Sequence, residues 1–503
     1  MEIFAALAAV LTDPTLLTFI FLAAVLGMVV GAVPGLTASA AIAMLLPITF
    51  YMEPLSALAF LYVIGKSGRY GGSITAILFN TPGTAASAAT QLDGYPRARR
   101  GEATKAMKVA TISSVIGDYT GEILLIIGVG FIAALALKLG PPELFAIYLC
   151  AFVVIGSVIG KSIVRGLASS AMGVLIKMIG LDPITATDRL TFGSYDLANG
   201  IALVPLMIGI FVLGEVFCQL ENRGQDTEMI ETPDTEAARA MNRLSWEEFK
   251  PCLPHVVRSS FIGAVIGMLP GLGSAIAAFV AYGEGKRRAR NPEEWGKGAL
   301  EGIAAPEAAN NAVSGPSMAP LLTLGIPGST IGAILIGVFL IHGIQVGPTL
   351  FLTSRDLVYG LFAAGLIGIA IYGVIGYFGA SLVGRFIIRI PADILYPIVF
   401  LTSFIAAYTN RGNLFDVYVM VAAGFLSWLM KRYDFNPAAF VISFVLAGGA
   451  EETFRQSLLL SDAGILIFVQ RPIAMVFILL GTGVVLARFR NLKKSAPNAL
   501  EDS

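Results

Sequence analysis

Apolar residues run in long stretches along most of the chain, and polar residues collect between them. A helix needs roughly 20 apolar residues to cross about 30 Å of hydrocarbon. Stretches approaching that length lie at 16–33, 122–137, 144–160, 200–219, 361–380, 393–407, 415–430 and 472–487. Several further segments are interrupted by proline and glycine. The pattern predicts an all-α polytopic membrane protein with roughly 10–12 transmembrane helices at this length per crossing.

Composition supports the same class. The chain has 503 residues, of which 56% are hydrophobic and 14% charged, with a mean hydropathy of +0.78. Soluble proteins carry about 25% charged residues. The net charge of zero gives no electrostatic reason to expect nucleic acid as a partner. Cys150, Cys218 and Cys252 are far apart and indicate neither a disulfide framework nor a thiolate metal site.

Motifs for nucleotide hydrolysis or other catalysis are missing. "GSVIGKS" (156–162) has one residue too few between its glycines for a phosphate-binding loop, and "GKS" (65–67) lacks the first glycine. His255 and His342 are the only histidines, and no HExxH or GxSxG motif occurs. We therefore expect no enzyme and no cofactor. The first segment lacks a basic n-region, so we also expect no cleaved signal peptide.

Proline–glycine pairs interrupt apolar stretches, and they recur in matched positions. "GAVPGLTASAAIA" (31–43) resembles "GMLPGLGSAIAAF" (267–279), and a second pair follows each copy, in "NTPGTAAS" (80–87) and "GIPGSTIG" (325–332). A weaker match joins "MIGLDPITA" (178–186) to "RYDFNPAAF" (432–440). The chain thus reads as a first membrane repeat (1–220), a polar acidic linker (221–257), a second repeat (258–487) and a tail (488–503).

The basic residues predict how the two repeats are oriented. In the first half the basic stretch follows the second Pro-Gly motif, whereas in the second half "GEGKRRARNPEEWGK" (283–297) lies between the two motifs. Short basic loops stay cytoplasmic, so equivalent loops fall on opposite sides of the membrane. The tail, with "ARFRNLKK" (487–494), is expected in the cytoplasm. Inverted repeats with Pro-Gly-broken or re-entrant helices indicate a secondary transporter whose site lies between the halves. A parallel duplication is the alternative.

The four Pro-Gly motifs are candidate binding elements. A hydroxyl after each pair can cap the next half-helix, whose free N–H groups and positive dipole end favour an anion such as a carboxylate. Carbonyl oxygens at the preceding helix ends suit Na⁺. The alternative is that the motifs only kink packed helices. The candidate substrate- or ion-binding residues at the motifs are Gly35, Thr37, Gly83, Thr84, Gly271, Gly273, Ser274, Gly328, Ser329 and Thr330.

Polar residues next to these motifs extend the candidate site. An ionisable residue at membrane depth is a functional candidate by default. Lys66 and Arg69 are three apart and would share a helix face, although both could instead snorkel to an interface. Asp118 and Glu122 fit either an interface or the bundle interior. The remaining candidates, which offer oxygen ligands for a cation or a proton site at Glu307, are Ser73, Asn80, Thr81, Glu307, Asn310 and Asn311.

The motifs together resemble a known family, the large membrane subunit (TctA family) of the tripartite tricarboxylate transporters. The resemblance covers nearly the whole chain. It rests on "PGLTASAAIAMLLPITF" (34–50), "YGGSITAILFNTPGT" (70–84), "DGYP" (93–96), "DRLTFG" (188–193), "PGLGSAIAAFVAY" (270–282), "EGIAAPEAANNA" (301–312), "LLTLGIPGS" (321–329) and "RPI" (471–473). "VLAGGAEETFRQSL" (445–458) fits the family pattern only loosely, and Lys66 and Arg69 are not expected in every member.

The resemblance implies a multi-pass permease in the bacterial inner membrane. It implies import of carboxylate anions driven by Na⁺ or H⁺, a small four-helix membrane subunit, and a periplasmic solute-binding protein that delivers the substrate. Which carboxylate is carried does not follow from the residues. A passive anion channel and a non-transporting scaffold subunit are the alternatives that the sequence leaves open.

Overall fold

A computed structural model of the chain describes residues 2–33, 37–158, 162–182, 185–221, 241–388, 392–462 and 464–495. Over these residues the protein is almost entirely helical. The exception is a two-residue antiparallel pairing of β1 (Gly180–Leu181) with β2 (Asp188–Arg189). The prediction of an all-α polytopic membrane protein is confirmed.

The helices of the first half fall on either side of the predicted breaks. They are α1 Glu2–Thr12, α2 Pro14–Gly31, α3 Ala38–Leu45, α4 Pro54–Phe79, α5 Ser87–Arg97, α6 Ala103–Ala136, α7 Pro141–Val158, α8 Ile163–Lys177, α9 Tyr195–Ala198, α10 Leu203–Ile208 and α11 Gly214–Glu221. A 3₁₀ turn (Leu46–Tyr51) follows α3, and π-helical turns (Ala98–Glu102 and Gly209–Leu213) join α5 to α6 and α10 to α11.

The helices of the second half also fall on either side of the predicted breaks. Its helices are α12 Trp246–Phe249, α13 Leu253–Met268, α14 Gly273–Arg288, α15 Leu300–Ala312, α16 Met318–Leu324, α17 Thr330–Ile341, α18 Leu350–Thr353, α19 Arg355–Ile388, α20 Ala392–Arg411, α21 Leu414–Arg432, α22 Pro437–Leu459, α23 Ile467–Gln470 and α24 Pro472–Ser495. Short 3₁₀ turns occupy Lys250–Cys252, Pro292–Glu294 and Gly464–Leu466. We number the breaks by the helix that follows: break 1 precedes α3, break 2 α5, break 3 α14 and break 4 α17.

Five of the described helices are long and apolar enough to cross a membrane, or up to six if the bent pair α23–α24 forms one span. Three of them are α2 (Pro14–Gly31), the first part of α19 (Arg355–Ala380) and α21 (Leu414–Arg432). The other two are continuous across a π-helical turn: α5 with α6 (Ser87–Ala136) and α10 with α11 (Leu203–Glu221). Other apolar segments are shortened by the breaks, as in α3 and α17. At 26 residues α4 would extend about 39 Å, but it carries charged and polar side chains. The number of crossings, roughly 10–12, stays a prediction.

The contacts between the halves follow the repeat. Two helices of equal length, α6 and α19 with 34 residues each, follow the second break of each half. Helix α6 of the first half packs against α15 of the second half, and α19 of the second half packs against α4 of the first half. Helices α4 and α15 correspond, because each lies between the two breaks of its half. The pairs α3–α17 and α14–α5 are related in the same way. Exchanging the halves therefore preserves these contacts, as expected for two copies of one unit. Their inverted orientation stays a prediction from the loop charges.

Small residues allow the helices before the breaks to pack closely in both halves. A Cβ added to Gly31 of α2 would lie 2.2 Å from the Gly68 carbonyl oxygen of α4. A Cβ on Gly263 of α13 would lie 2.3 Å from the Ala309 carbonyl oxygen of α15. Glycine at such positions brings backbones together, which is how helices associate within a bilayer. These close contacts hold the ends of α2 and α13 beside the polar helices α4 and α15.

Only part of the predicted linker is described. Residues 222–240, with most of its acidic side chains, lie outside the described residues. The following segment contains α12, where Ser245 and Glu248 form a reciprocal capping box. Helix α13 begins at Leu253, four residues before the predicted end of the linker. The boundaries of the repeats stay predictions.

Candidate functional site

All four breaks border one cavity of about 400 Å³. This volume lies in the range of about 300–1,000 Å³ that small-molecule sites occupy. Most of the described lining is apolar or small, and the polar groups come from the breaks. The predicted residues that line it are Thr37, Arg69, Thr84, Gly271, Gly273, Ser274, Gly328, Ser329 and Thr330. Motifs far apart in the sequence therefore meet at one place. Gly35 lies outside the described residues.

The hydroxyls after breaks 1 and 4 cap the helices that follow, whereas at break 2 the N-cap residue of α5 is Ala86 and no side chain caps that helix. The Thr37 hydroxyl accepts a hydrogen bond from the Ala40 amide at 3.2 Å, and that of Ser329 accepts one from the Gly332 amide at 3.2 Å. The Thr84 hydroxyl accepts the Ser87 amide at 3.2 Å. Each cap binds one N–H group, so other N–H groups of the first turn have no partner within the helix. The positive end of the helix dipole lies at the same N-terminus.

The third break is built differently. Helix α14 begins at Gly273, and no side chain caps it. Gly271 has a φ of +86° and Gly273 one of +69°, a left-handed conformation that glycine adopts without strain. The Gly271 amide donates to the Gly328 carbonyl at 3.3 Å, which ties break 3 to break 4. Ser274 lies in the first turn of α14 and lines the cavity without capping it.

Arg69 is the one charged side chain among the described residues that line this cavity. It lies on α4 and is 7% exposed. Its Nη1 donates to the Asn310 carbonyl oxygen at 3.3 Å. The described carboxylates on α6, Asp118 and Glu122, are bound to Lys66 instead. The bond to Asn310 is the one hydrogen bond that Arg69 makes within the described residues, and a buried guanidinium with further N–H donors is suited to a carboxylate ligand.

Lys66 lies one turn before Arg69 but does not line the cavity. Its ammonium contacts Asp118 Oδ1 at 2.6 Å and Glu122 Oε2 at 2.8 Å, and all three side chains are fully buried. The Tyr62 hydroxyl donates to Glu122 at 2.8 Å, and that of Tyr372 to Asp118 at 3.2 Å. The structure thus places Asp118 and Glu122 in the bundle interior, which the sequence left open. One oxygen, Glu122 Oε1, is buried without a hydrogen-bond partner.

Glu307 on α15 is fully buried in a second polar cluster. It accepts hydrogen bonds from Ser73 at 2.5 Å, from Thr90, and from Ser114 at 2.8 Å. Thr90 on α5 and Ser114 on α6 were missed from the sequence, because hydroxyls in apolar helices carry no motif. Asn311 donates to Ser114 at 2.9 Å. The carboxylate of Glu307 is therefore held by hydroxyls from three helices.

Asparagine oxygens beside this cluster are available to a ligand. The side-chain oxygens of Asn310 and Asn311 are buried and accept no hydrogen bond within the described residues, and the side-chain nitrogen of Asn310 donates none there. Neighbouring backbone is already engaged, since the Asn310 carbonyl accepts from Arg69. Arg69 therefore connects the cavity lining to the helix that carries Glu307. Buried acceptors without donors are rare and favour a cation or water at this place.

Asn80, Thr81 and Gly83 lie apart from the cavity lining and shape the second break. Asn80 ends α4 in the left-handed conformation, with φ 55°, and its side chain accepts from Gln91 at 2.6 Å. The Thr81 hydroxyl donates to the Phe79 carbonyl at 3.1 Å. A Cβ on Gly83 would lie 2.4 Å from the Gly31 carbonyl oxygen, so this glycine permits close packing of break 2 on α2.

Asp93, within the "DGYP" motif, joins α5 to the second half. Its Oδ1 accepts the amides of Gly296, Gly298 and Ala299 at 2.7–2.8 Å, and Tyr282 donates to Oδ2 at 2.9 Å. These amides lead into α15, so Asp93 caps the start of that helix from another element. The sequence indicated the motif but not this role, because the partners are about 200 residues away.

Comparisons with known proteins agree with the resemblance. Residues 17–442 match the tripartite tricarboxylate transporter TctA family. The chain is 36% identical over 475 residues to an Agrobacterium vitis protein named "Uncharacterized 52.8 kDa protein in TAR-I ttuC' 3'region", covering 94% of this chain and 93% of that protein. It is also 36% identical over 225 residues to an "Uncharacterized protein in TAR-II ttuC' 3'region" of the same organism, covering 44% of this chain and 91% of that protein. This multi-pass membrane protein therefore belongs to the TctA family, a component of tripartite tricarboxylate transporters that also include a binding protein and a small membrane subunit.

Proposed function

We propose that this chain is the permease subunit of a cation-coupled importer of carboxylate anions in the bacterial inner membrane. The observation that carries the proposal is the meeting of all four breaks and Arg69 around one cavity. The family supplies the transporter class. A periplasmic solute-binding protein would deliver the substrate, and the small four-helix subunit would complete the membrane part.

The cavity supplies two kinds of group for a carboxylate. Helix N-termini offer backbone N–H donors and positive dipole ends, and they come from both halves of the chain. Arg69 adds a full positive charge and a planar pair of donors. A substrate held between the halves would be released on the other side when one half moves against the other. Transporters built from two repeats commonly work in this way.

The coupling ion is proposed to bind near Glu307. Its carboxylate and the free side-chain oxygens of Asn310 and Asn311 are hard ligands, and all three residues belong to one helix. Na⁺ fits such oxygen ligands, and H⁺ could instead bind the carboxylate itself. Backbone carbonyls at the interrupted helix ends would add ligands for the ion.

The experiment is uptake of radiolabelled citrate and succinate into proteoliposomes that contain the chain with its two partner subunits. The proposal predicts accumulation above the external concentration when an inward Na⁺ or H⁺ gradient is imposed. Collapse of both gradients with ionophores should abolish accumulation. Flux that only equilibrates, and does so without a gradient, would identify a passive channel. Absence of all substrate flux, with every subunit present and folded, would identify a scaffold.

A pair of threonines in one loop tests the site itself. Thr84 lines the cavity, whereas Thr81 lies three residues away and its hydroxyl donates to the Phe79 carbonyl within its own turn. T84A removes a cavity hydroxyl and its hydrogen bond from the Ser87 amide, and we expect uptake at low substrate concentration to fall about tenfold. T81A is the matched control and should transport like the wild type. Equal uptake by both variants would contradict the placement of the substrate.

A further inference from the structure

A second cavity, which we call the basic cleft, lies apart from the breaks. It has a volume of about 680 Å³ and shares none of its lining residues with the cavity at the breaks. It is formed where the segment before α13 meets the loop between α14 and α15. Its charged lining residues are Lys250, Arg258, Arg288, Arg290, Glu294 and Glu301.

The cleft carries an excess of positive charge. Four basic and two acidic side chains line it, and Glu284 beside the lining pairs with Arg288, which leaves a formal charge of +1. Arg258 Nη1 is buried and has no hydrogen-bond partner among the described residues. An unsatisfied buried guanidinium donor is costly, and binding of an anion offsets this cost. The basic cleft thus has both the charge and the free donor of an anion site.

An apolar strip continues from the cleft along α13. Arg258, Phe261 and Val265 are spaced by three and four residues, so they lie on one face of this helix. Phe261 is 51% exposed and Val265 is 62% exposed. The strip leads from the charged end of α13 toward break 3, along a segment predicted to enter the membrane. A ligand for the whole surface therefore needs an anionic head and an apolar tail.

The position of the cleft relative to the membrane selects the ligand class. The loop 283–297, which supplies Arg288 and Arg290, is the most basic short loop of the second half and is expected on the cytoplasmic side. Basic pockets between membrane helices on that side bind anionic lipid head groups. We infer that the basic cleft binds the phosphate of an anionic phospholipid, whose acyl chains lie along Phe261 and Val265.

The inference is tested with purified protein and phosphatidylglycerol, by native mass spectrometry at increasing lipid concentration. We expect the wild type to bind phosphatidylglycerol in preference to phosphatidylethanolamine. Each basic group near a membrane surface contributes about 1 kcal/mol, or about fivefold in affinity. R258Q should therefore weaken lipid binding about fivefold, and R258Q/R290Q about 25-fold. R287Q is the matched control because Arg287 is 72% exposed and pairs with Glu284 outside the cleft.

The outcomes distinguish the lipid from other occupants. Equal weakening by R287Q and R258Q would overturn the inference, because the effect would then be general surface charge. Displacement of the lipid by millimolar inorganic phosphate would assign the cleft to a free phosphate instead. Loss of lipid binding when the small membrane subunit is added would assign the apolar strip to that protein. R290Q alone provides a second test in case R258Q does not fold. Arg290 is exposed, so its replacement should leave the fold intact and still weaken lipid binding about fivefold.

Discussion

Replacement of Arg69 by glutamine removes the one charged side chain that the described cavity lining provides. A hydrogen bond to a charged group contributes about 1.5–3 kcal/mol net, which corresponds to a factor of about 10–150 in affinity. The guanidinium is only 7% exposed, so salt screens it little and the upper part of this range applies. We therefore expect the KM for a carboxylate to rise about 100-fold in R69Q.

The same position offers a graded comparison. R69K keeps the charge but loses the planar fork that binds a carboxylate through two parallel hydrogen bonds, so its KM should lie between those of the wild type and R69Q. The assay is the initial rate of citrate or succinate uptake in proteoliposomes over a wide range of substrate concentrations. Melting curves control for folding, because R69Q also loses the charged hydrogen bond to the Asn310 carbonyl, worth about 1.5–3 kcal/mol. An R69Q protein with the wild-type KM would refute the reasoning.

Three further replacements test the buried polar groups. E307Q should abolish gradient-driven accumulation but leave substrate exchange measurable by counterflow, and loss of both would argue for a purely structural role. K66M leaves two buried carboxylates uncompensated and should reduce the free energy of unfolding by about 3–5 kcal/mol, and an unchanged melting temperature would contradict this. D93N weakens the hydrogen bonds of Asp93 to three backbone amides, so hydrogen exchange should accelerate at 296–299, and unaltered protection there would exclude the cap.

The location of the breaks could be read from the sequence because it depends on local chemistry. Each of the four Pro-Gly pairs separates two helices, whereas the lone Pro306 and Pro397 lie inside helices, so the pair and not either residue alone marks a break. Thr37 and Ser329 cap as expected, whereas Thr84 accepts the Ser87 amide but α5 has no side-chain cap. Ser274 does not cap a helix, because glycines at break 3 start α14 without a side-chain cap. That the four breaks share one cavity could only be expected from the repeat.

The buried polar groups were harder to place because their partners are distant in the sequence. Lys66 and Arg69 are three residues apart, yet one binds carboxylates of α6 and the other lines the cavity. Spacing along a helix gives a common face but not what packs against each side chain. The sequence predicted Asn80 as a binding residue. It did not predict that Asn80 ends α4 through a left-handed backbone conformation. Thr90 and Ser114 had no local signal at all.

The equal lengths of α6 and α19 show what the repeat could and could not predict. The matched motifs gave the order of elements, and the structure places a helix of 34 residues after the second break in each half. Their contacts with α15 and α4 cross between the halves, which no local pattern in either half indicates. Such long-range packing decides which polar residues are buried together, and hence where the coupling ion is proposed to bind.

A cryo-electron microscopy structure of the complete transporter with its carboxylate substrate bound tests the position of the substrate site most directly. We expect substrate density in the cavity at the breaks, with carboxylate oxygens about 2.7–2.9 Å from Arg69 and from amides at the starts of helices in both halves. Substrate density elsewhere, with this cavity occupied only by side chains, would contradict this position.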